Sequence, residues 1–343
     1  MKNRFSMIYN RIRGKNTMKT RMGKRCAALL LCAVLMVLTL GACTKETKTE
    51  GKLQIVESIF PAYDWTMQVI GDNPADMDVR LLLDKGVDLH SYQPSVDDIL
   101  LISNCDVFIY VGGESDAWVT DALRQATNKD MTVVNLMELL GDKAKTEETV
   151  EGMQEHDHDH EDEEKEYDEH VWLSLKNAVL FCDKICEVLS RADTAHAEDY
   201  RRHTEAYTQK LNTLHEDYQK AVNASRTKTL LFGDRFPFRY LTDDYGLTYY
   251  AAFAGCSAET EASFDTIVFL ANKVDELGLT TILTTESTDG SVANTIKDNT
   301  KTKDQTILPL DSMQSVTAEQ MKNGTTYLSV MQENLKVLRQ ALT

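Results

Sequence analysis

Apolar residues in the first part of the chain form short runs separated by stretches with helical spacing. Runs typical of buried strands occur at residues 53–60 (LQIVESIF), 78–83 (DVRLLL) and 106–113 (DVFIYVGG). We predict helices at 61–72 and 95–105, the second with apolar positions three and four residues apart. Strands that alternate with helices indicate parallel β-α-β units. This pattern predicts one α/β lobe.

A long polar stretch with a regular apolar stripe follows at residues 195–225. It contains neither proline nor glycine, and its apolar or aromatic positions are Tyr200, Ala206, Tyr207, Leu211, Leu214, Tyr218 and Val222. A helix of this length would extend about 45 Å, which is enough to join two small domains.

The alternation of strands and helices resumes beyond this helix. The predicted strands are KTLLFGD, TYYAAFAG, TTILTTES and QTILPLD, and the predicted helices are RFPFRYLTDDYG, SFDTIVFLANKVDELG, SVANTIKDNT and residues 325–341. The expected fold class is therefore α/β, with two Rossmann-like lobes of mainly parallel sheet (52–194 and 226–343) joined by one long rigid helix (195–225). Ligands are expected between the lobes, at the carboxyl ends of the strands.

The amino-terminal residues have the pattern of an export signal. Residues 1–42 contain nine Lys or Arg and no acid, and a fifteen-residue apolar run, Cys26 to Leu40, precedes the small residues Gly41 and Ala42. The run is too short to span a bilayer as a helix. The sequence LGAC resembles the lipobox of bacterial lipoproteins, which implies a signal peptide at 1–42, a lipid on Cys43 and a flexible tether at 43–51.

Loss of residues 1–42 makes the remaining chain strongly acidic. It leaves 28 of the 37 basic residues against 54 acidic ones, a net charge of −26. Such a chain is not expected to bind nucleic acid. The later cysteines form no CxxC pair, so we interpret Cys105, Cys182, Cys186 and Cys256 as small apolar side chains.

Candidate metal ligands lie near the ends of predicted strands and segments. They are His90, His170, Asp234, Glu286 and Asp311. Imidazole nitrogen with carboxylate oxygen suits zinc, and a larger share of oxygen suits manganese.

Three stretches resemble the zinc and manganese solute-binding lipoproteins of bacterial ABC importers. They are SIFPAYDWTMQVIGD, LLLDKGVDLHSYQPSVDDILLISNCDVFIYVGGESDAW and DEHVWLSLKNA. The resemblance covers essentially the whole chain after the leader. It implies that His90 and His170 are metal ligands, with Leu89 and Glu169 where the family has proline. It also matches the family's last ligand to Asp311 and an adjacent strand-end acid to Glu286.

The chain departs from this family at the third ligand. The motif that ends in Tyr245 and Gly246 places Arg235 where the family has His or Glu. Arginine stays protonated and cannot donate a lone pair to a cation. We expect one of three arrangements in place of the missing ligand. Asp234 supplies an oxygen from one residue earlier, Glu286 enters the site, or the protein provides three ligands and water the fourth. Arg235 would attract an anion or pair with Asp311.

Residues 141–167 are expected to form a mobile acidic loop, because they contain almost no apolar side chains. His156, His158 and His160 alternate there with Asp157 and Asp159. The resembled family has a histidine- and acid-rich loop at this place. We interpret it as a weak collector of metal, with a solvated spacer as the alternative.

The sequence thus predicts a monomeric, non-enzymatic protein, lipid-anchored outside the cytoplasmic membrane, that delivers a metal to an ABC permease. Zn²⁺ is favoured by the histidines, with Mn²⁺ or Fe²⁺ as alternatives. Two alternatives come from other functional classes. One is a surface metallohydrolase that uses His90, His170 and a carboxylate, and the other is an adhesin. No HExxH or GxSxG motif supports hydrolysis.

Overall fold

A computed structural model describes residues 51–71, 77–154, 166–257 and 261–343. Two four-stranded sheets, both fully parallel, form two α/β lobes in the order β2-β1-β3-β4 and β6-β5-β7-β8. The strands are β1 Leu53–Glu57, β2 Met77–Leu81, β3 Val107–Tyr110, β4 Thr132–Asn135, β5 Thr229–Phe236, β6 Thr248–Ala254, β7 Thr281–Thr284 and β8 Thr306–Pro309. The predicted fold class is confirmed.

Helices connect and cover the strands, as parallel sheets require. They are α1 Phe60–Ile70, α2 Val96–Asn104, α3 Val119–Gln125, α4 Leu136–Leu140, α5 Leu175–Ala192, α6 Ala197–Ala224, α7 Arg239–Tyr245, α8 Phe264–Leu277, α9 Ser291–Asn299, α10 Ala318–Lys322 and α11 Tyr327–Ala341. No helix in these described ranges is both long and apolar enough to cross a membrane.

Helix α6 lies between the two lobes in the chain and buries one stripe. Its buried residues are Tyr200, Thr204, Tyr207, Leu211, Leu214, Tyr218 and Val222, each three or four residues after the one before. All of them except Thr204 belong to a hydrophobic core that includes buried residues of both lobes. Tyr218 also donates a hydrogen bond at 2.6 Å to the carbonyl of Met331, in α11. The last helix is thereby fastened to the helix that connects the lobes.

A further buried contact joins the lobes beside the candidate site. The indole N–H of Trp172 donates a hydrogen bond at 2.8 Å to the carbonyl of Ser312, and Trp172 is 1 % exposed. The hydroxyl of Tyr327 donates to the carbonyl of Trp172 at 2.7 Å. An indole donor of this kind is stabilising when its partner is also withdrawn from water.

The strand β5 is longer than predicted, and Arg235 lies in it rather than in a helix. A register shift separates Phe232 from Arg235 in the pairing of β5 with β6, and the helix begins only at Arg239. Pro237 explains this, because a proline disfavours helical geometry in the residue before it. An irregularity in a strand also changes the direction of the side chain that follows it.

The expectation of one mobile loop at 141–167 is wrong for residues 144–154, which pack against the C-terminal lobe. The backbone N–H of Lys145 donates to the hydroxyl of Tyr240, and that of Gln154 donates to the carbonyl of Ala252. Met153 is 7 % exposed. The prediction rested on local composition. Composition does not reveal that a few apolar contacts and backbone hydrogen bonds to the other lobe hold this segment.

Candidate metal centre

Two histidines of the N-terminal lobe face each other beyond the carboxyl ends of its strands. His90 lies in the turn Leu89–Ser91, which follows β2, and His170 directly precedes the turn Val171–Leu173. Their Nε2 atoms are 3.1 Å apart. Two nitrogens bound to one tetrahedral zinc at about 2.0–2.1 Å lie about 3.3 Å from each other. The pair is therefore spaced as two ligands of one ion.

His170 is fully buried and is oriented by Asp168. Its Nδ1 lies 3.1 Å from Asp168 Oδ1, and its backbone N–H donates to the same oxygen at 2.8 Å. A carboxylate that accepts the Nδ1 proton leaves the Nε2 lone pair for a metal. Burial acts to lower the pKa of His170, but the charge and hydrogen bond of Asp168 outweigh it and raise that pKa. A metal and a proton therefore compete for this ring.

His90 is held in the same way by groups of its own lobe. Its Nδ1 lies 2.7 Å from Ser115 Oγ and 3.5 Å from Glu169 Oε2. Burial and the neighbouring His170 lower the pKa of His90 to about 3. The imidazole is neutral at physiological pH, which is the form that binds metal.

Glu169 is one of the two residues that replace a family proline, and its carboxylate supports the site. It accepts a hydrogen bond at 2.8 Å from the backbone N–H of Ser115, beside His90. Gly113 makes room for it: its φ of +85° is unfavourable for other residues, and a Cβ there would overlap the Glu169 carboxylate.

Cys256 of the C-terminal lobe completes a cluster with the two histidines. One ligand atom from each of His90, His170 and Cys256 lies within 4.8 Å of the others. Among the described residues this is the one group of three or more His, Cys, Asp or Glu side chains that meets this distance. Burial and the carboxylates of Glu147, Asp168 and Glu169 raise the pKa of the Cys256 thiol.

Our interpretation of Cys256 as a small apolar side chain missed this position. Its loop follows β6, and in a parallel sheet such loops lie at the edge where ligands bind. The second signal in the sequence was Arg235, which stands at a ligand position but cannot bind a metal, so another residue must take its place. Neither signal shows which loop of the C-terminal lobe approaches His90 and His170.

Arg235 pairs with Asp88 of the other lobe rather than with Asp311. Its guanidinium donates a hydrogen bond at 2.9 Å to Asp88 Oδ2, and both side chains are less than one-fifth exposed. The other oxygen of Asp88 accepts the backbone N–H of His90 at 3.0 Å. Arg235 and His90 hold the pKa of Asp88 below its ordinary value, against the opposing effect of burial. A cationic side chain thus lies next to the histidine pair.

The three predicted oxygen ligands have other partners within the C-terminal lobe. Asp234 accepts hydrogen bonds from the N–H and hydroxyl of Thr285, and Glu286 accepts from Ser312. Asp311 accepts the N–H of Met313 at 2.7 Å, and burial together with Glu286 raises its pKa to about 7. The structure does not bring these carboxylates into the cluster of His90 and His170. Their coordination of metal remains a prediction.

The accessory histidines His156, His158 and His160, and the lipidation site Cys43, lie outside the described residues. Their roles also remain predictions.

Comparison with known proteins connects this chain to a family. The model of the ZnuA family, described as zinc-uptake complex component A, periplasmic, matches residues 55–341. The zinc-binding lipoprotein AdcA of Streptococcus pneumoniae is 32% identical over 311 residues, which are 91% of this chain and 60% of that protein. The chain thus spans about three-fifths of the length of this relative.

In two further comparisons the match covers almost the whole length of the known protein. The high-affinity zinc uptake system protein ZnuA of Bacillus subtilis is 27% identical, covering 94% of this chain and 99% of that protein. The crystal structure of the Zn(II)-bound ZnuA-like domain of S. pneumoniae AdcA has a TM-score of 0.67 and 29% identity, covering 85% of this chain and 99% of that domain. The family model and the shared fold agree, and the chain belongs to the ZnuA family of zinc-uptake components.

Proposed function

We propose that this protein captures Zn²⁺ outside the cytoplasmic membrane, between its two lobes, and delivers it to the permease of an ABC importer. The observation that carries the proposal is the 3.1 Å approach of His90 Nε2 to His170 Nε2, with each Nδ1 facing an oxygen of the protein. The names of the zinc-binding relatives support it.

The donor chemistry favours zinc over manganese and iron. Two imidazole nitrogens suit zinc, whereas manganese prefers carboxylate, carbonyl and water oxygens. Asp234 and Glu286 already accept hydrogen bonds from neighbouring groups of their own lobe. A manganese- or iron-binding importer protein of the same fold is the alternative, and it would require Asp311, Glu286 or Asp234 to move toward the histidines.

Capture and delivery require no chemical step on the metal. We expect no catalysis, a monomer, a lipid on Cys43 and a tether at 43–51 that keeps the lobes near the permease. The 28-residue helix α6 and the Trp172–Ser312 hydrogen bond resist large rotation of the lobes. We therefore infer a small opening motion for metal release.

Competition for zinc with a chromophoric chelator tests the proposal on the full chain. We expect one tight equivalent in the wild type and its loss in His90→Gln and in His170→Gln. His215→Gln is the matched control, because His215 is a half-buried histidine whose Nδ1 contacts Tyr245 at 3.0 Å. Tight binding that survives both of the first two substitutions would overturn the proposal.

Transport is tested separately from binding. Cells that lack the protein should grow poorly when zinc is chelated, and the wild-type chain, but not His90→Gln, should restore growth. Hydrolysis of any substrate faster than a His90→Ala control would favour a metallohydrolase instead. Normal growth of the deletion strain under chelation, together with zinc binding, would favour an adhesin or a metal buffer.

A further inference from the structure

We propose that Cys256 is the third protein ligand of the metal, so that the site has a two-histidine, one-cysteine donor set. This inference rests on the proposed function and specifies its metal site. It assigns the position that Arg235 leaves without a donor to a residue from the loop that follows β6 in the same lobe. The thiolate sulfur would bind opposite the histidine pair.

The path of the backbone brings Cys256 to the histidines. Cys256 follows β6 by two residues, and the residue between them, Gly255, lies against His170. A Cβ added at Gly255 would be 3.2 Å from His170 Cε1 and 2.9 Å from the carbonyl oxygen of Phe236. A larger residue at 255 would therefore push the loop away from His170. The backbone N–H of Cys256 donates a hydrogen bond to Glu147 Oε1 at 3.0 Å, and this contact also holds the loop in place.

The distances suit one ion with three protein ligands. In tetrahedral zinc geometry a nitrogen at about 2.05 Å and a sulfur at about 2.3 Å lie about 3.6 Å apart. The three ligand atoms already lie within 4.8 Å of one another, so an inward shift of about 1 Å is sufficient. His90 and His170 come from one lobe and Cys256 from the other. Coordination would thereby link the lobes through the metal.

The donor set defines the class of metal that the site accepts. A thiolate is a soft ligand that selects zinc and softer ions, such as Cd²⁺, over Mn²⁺. Three protein ligands also leave a fourth position of the tetrahedron for water or an incoming group, an arrangement that allows exchange. The site thus combines selectivity against manganese with a route for release.

Cobalt substitution of the full chain tests the donor set directly. Co²⁺ bound by a thiolate gives a sulfur-to-cobalt charge-transfer band in the near ultraviolet, which imidazole and carboxylate ligands do not give. We expect the band in the wild type and in Cys186→Ser, a cysteine in α5 that is 8 % exposed. Cys256→Ser should lose the band and bind zinc at least about 100-fold more weakly, since even outer partners of metal ligands contribute about 10–100-fold.

A second measurement needs no variant and covers the case in which Cys256→Ser fails to fold. Cys256 is partly exposed, whereas Cys105, Cys182 and Cys186 are buried. Iodoacetamide should therefore alkylate Cys256 before these three buried cysteines, and one equivalent of Zn²⁺ should protect it at least about tenfold, whereas Mn²⁺ should not. Peptide mass spectrometry assigns each modified cysteine.

The outcomes separate this inference from the proposed function. Zinc binding that depends on His90 and His170 but leaves Cys256 unprotected and gives no charge-transfer band would overturn the cysteine ligand and leave zinc capture intact. Retention of that band in cobalt-loaded Asp311→Asn and Glu286→Gln supports the cysteine set. Zinc binding independent of His90 would overturn both.

Discussion

The guanidinium of Arg235 donates a hydrogen bond at 2.9 Å to Asp88, the carboxylate that also accepts the backbone N–H of His90. A residue of β5 is thereby attached to the turn of the other lobe that carries His90. The contact places one positive charge beside a site for a dication, and it occupies the position where the resembled family has a metal ligand.

Arg235→Gln should bind zinc more tightly than the wild type. The substitution removes a repulsive charge and leaves the carboxylate of Asp88 uncompensated beside His90. An electrostatic change of about 1.4 kcal/mol is ordinary for a partly buried charge and corresponds to about tenfold in affinity. Arg201→Gln, on the exposed face of α6, is the control and should leave affinity unchanged. Weaker zinc binding by Arg235→Gln would mean that Arg235 organises the site through Asp88.

Asp168→Asn should weaken zinc binding by about 10–100-fold, the usual effect of losing the carboxylate that orients a metal-binding histidine. Without that charge the pKa of His170 should fall, because Asp168 contributes most to offsetting the effect of burial. Isothermal titration and NMR of the imidazole would measure both quantities.

The chain contains a matched control for this variant. Asp193 lies 2.6 Å from His196 Nδ1 on the surface, away from the cluster. Asp193→Asn should leave zinc affinity unchanged. Equal affinity of Asp168→Asn and Asp193→Asn would contradict the orienting role of Asp168.

The stability of the metal-free protein should fall as pH rises from about 4.5 to 8, in part because of Glu57. Burial raises the pKa of Glu57 from its ordinary 4.5 to about 8, despite a 2.6 Å hydrogen bond from Thr66. The folded state therefore binds this proton more tightly than the unfolded state does. Its contribution is complete below pH 4.5 and is lost as pH rises through 8, with a slope of up to about 1.4 kcal/mol per pH unit.

Glu57→Gln should flatten this dependence, because a neutral amide cannot titrate. Urea unfolding between pH 5 and pH 8, with a chelator present, would measure the slope. Glu333→Gln is the control, since Glu333 is exposed on α11 and should leave the slope unchanged. An unaltered slope in Glu57→Gln would show that Glu57 does not carry this proton.

Replacing His156, His158 and His160 together by Asn should remove weak zinc equivalents and leave the tight one. Alternating imidazoles and carboxylates offer donors to borderline metals without fixing a coordination geometry. Isothermal titration of the full chain separates the two classes. His90→Gln should give the reciprocal result, with weak equivalents retained and the tight one lost. Loss of the tight equivalent in the triple variant would place the loop in the main site.

The histidine pair could be predicted from the sequence because its signals are local. His90 and His170 each lie within a motif whose residues are neighbours in the sequence. Asp168 is only two residues from the ring that it orients. The alternation of strands and helices was likewise visible in short stretches, because apolar periodicity reflects which side of each element is buried.

The sequence by itself determined the α/β class, most of the strands and helices, the long helix between two parallel sheets and the two candidate histidines. Only the tertiary structure decided which strand end of the C-terminal lobe meets them. It brought Cys256 to the pair, directed Arg235 to Asp88 through an irregular strand, and docked residues 144–154 on the second lobe. These contacts depend on sheet order and on the packing of one lobe against the other, which join residues far apart in the chain and leave no periodic signal within it.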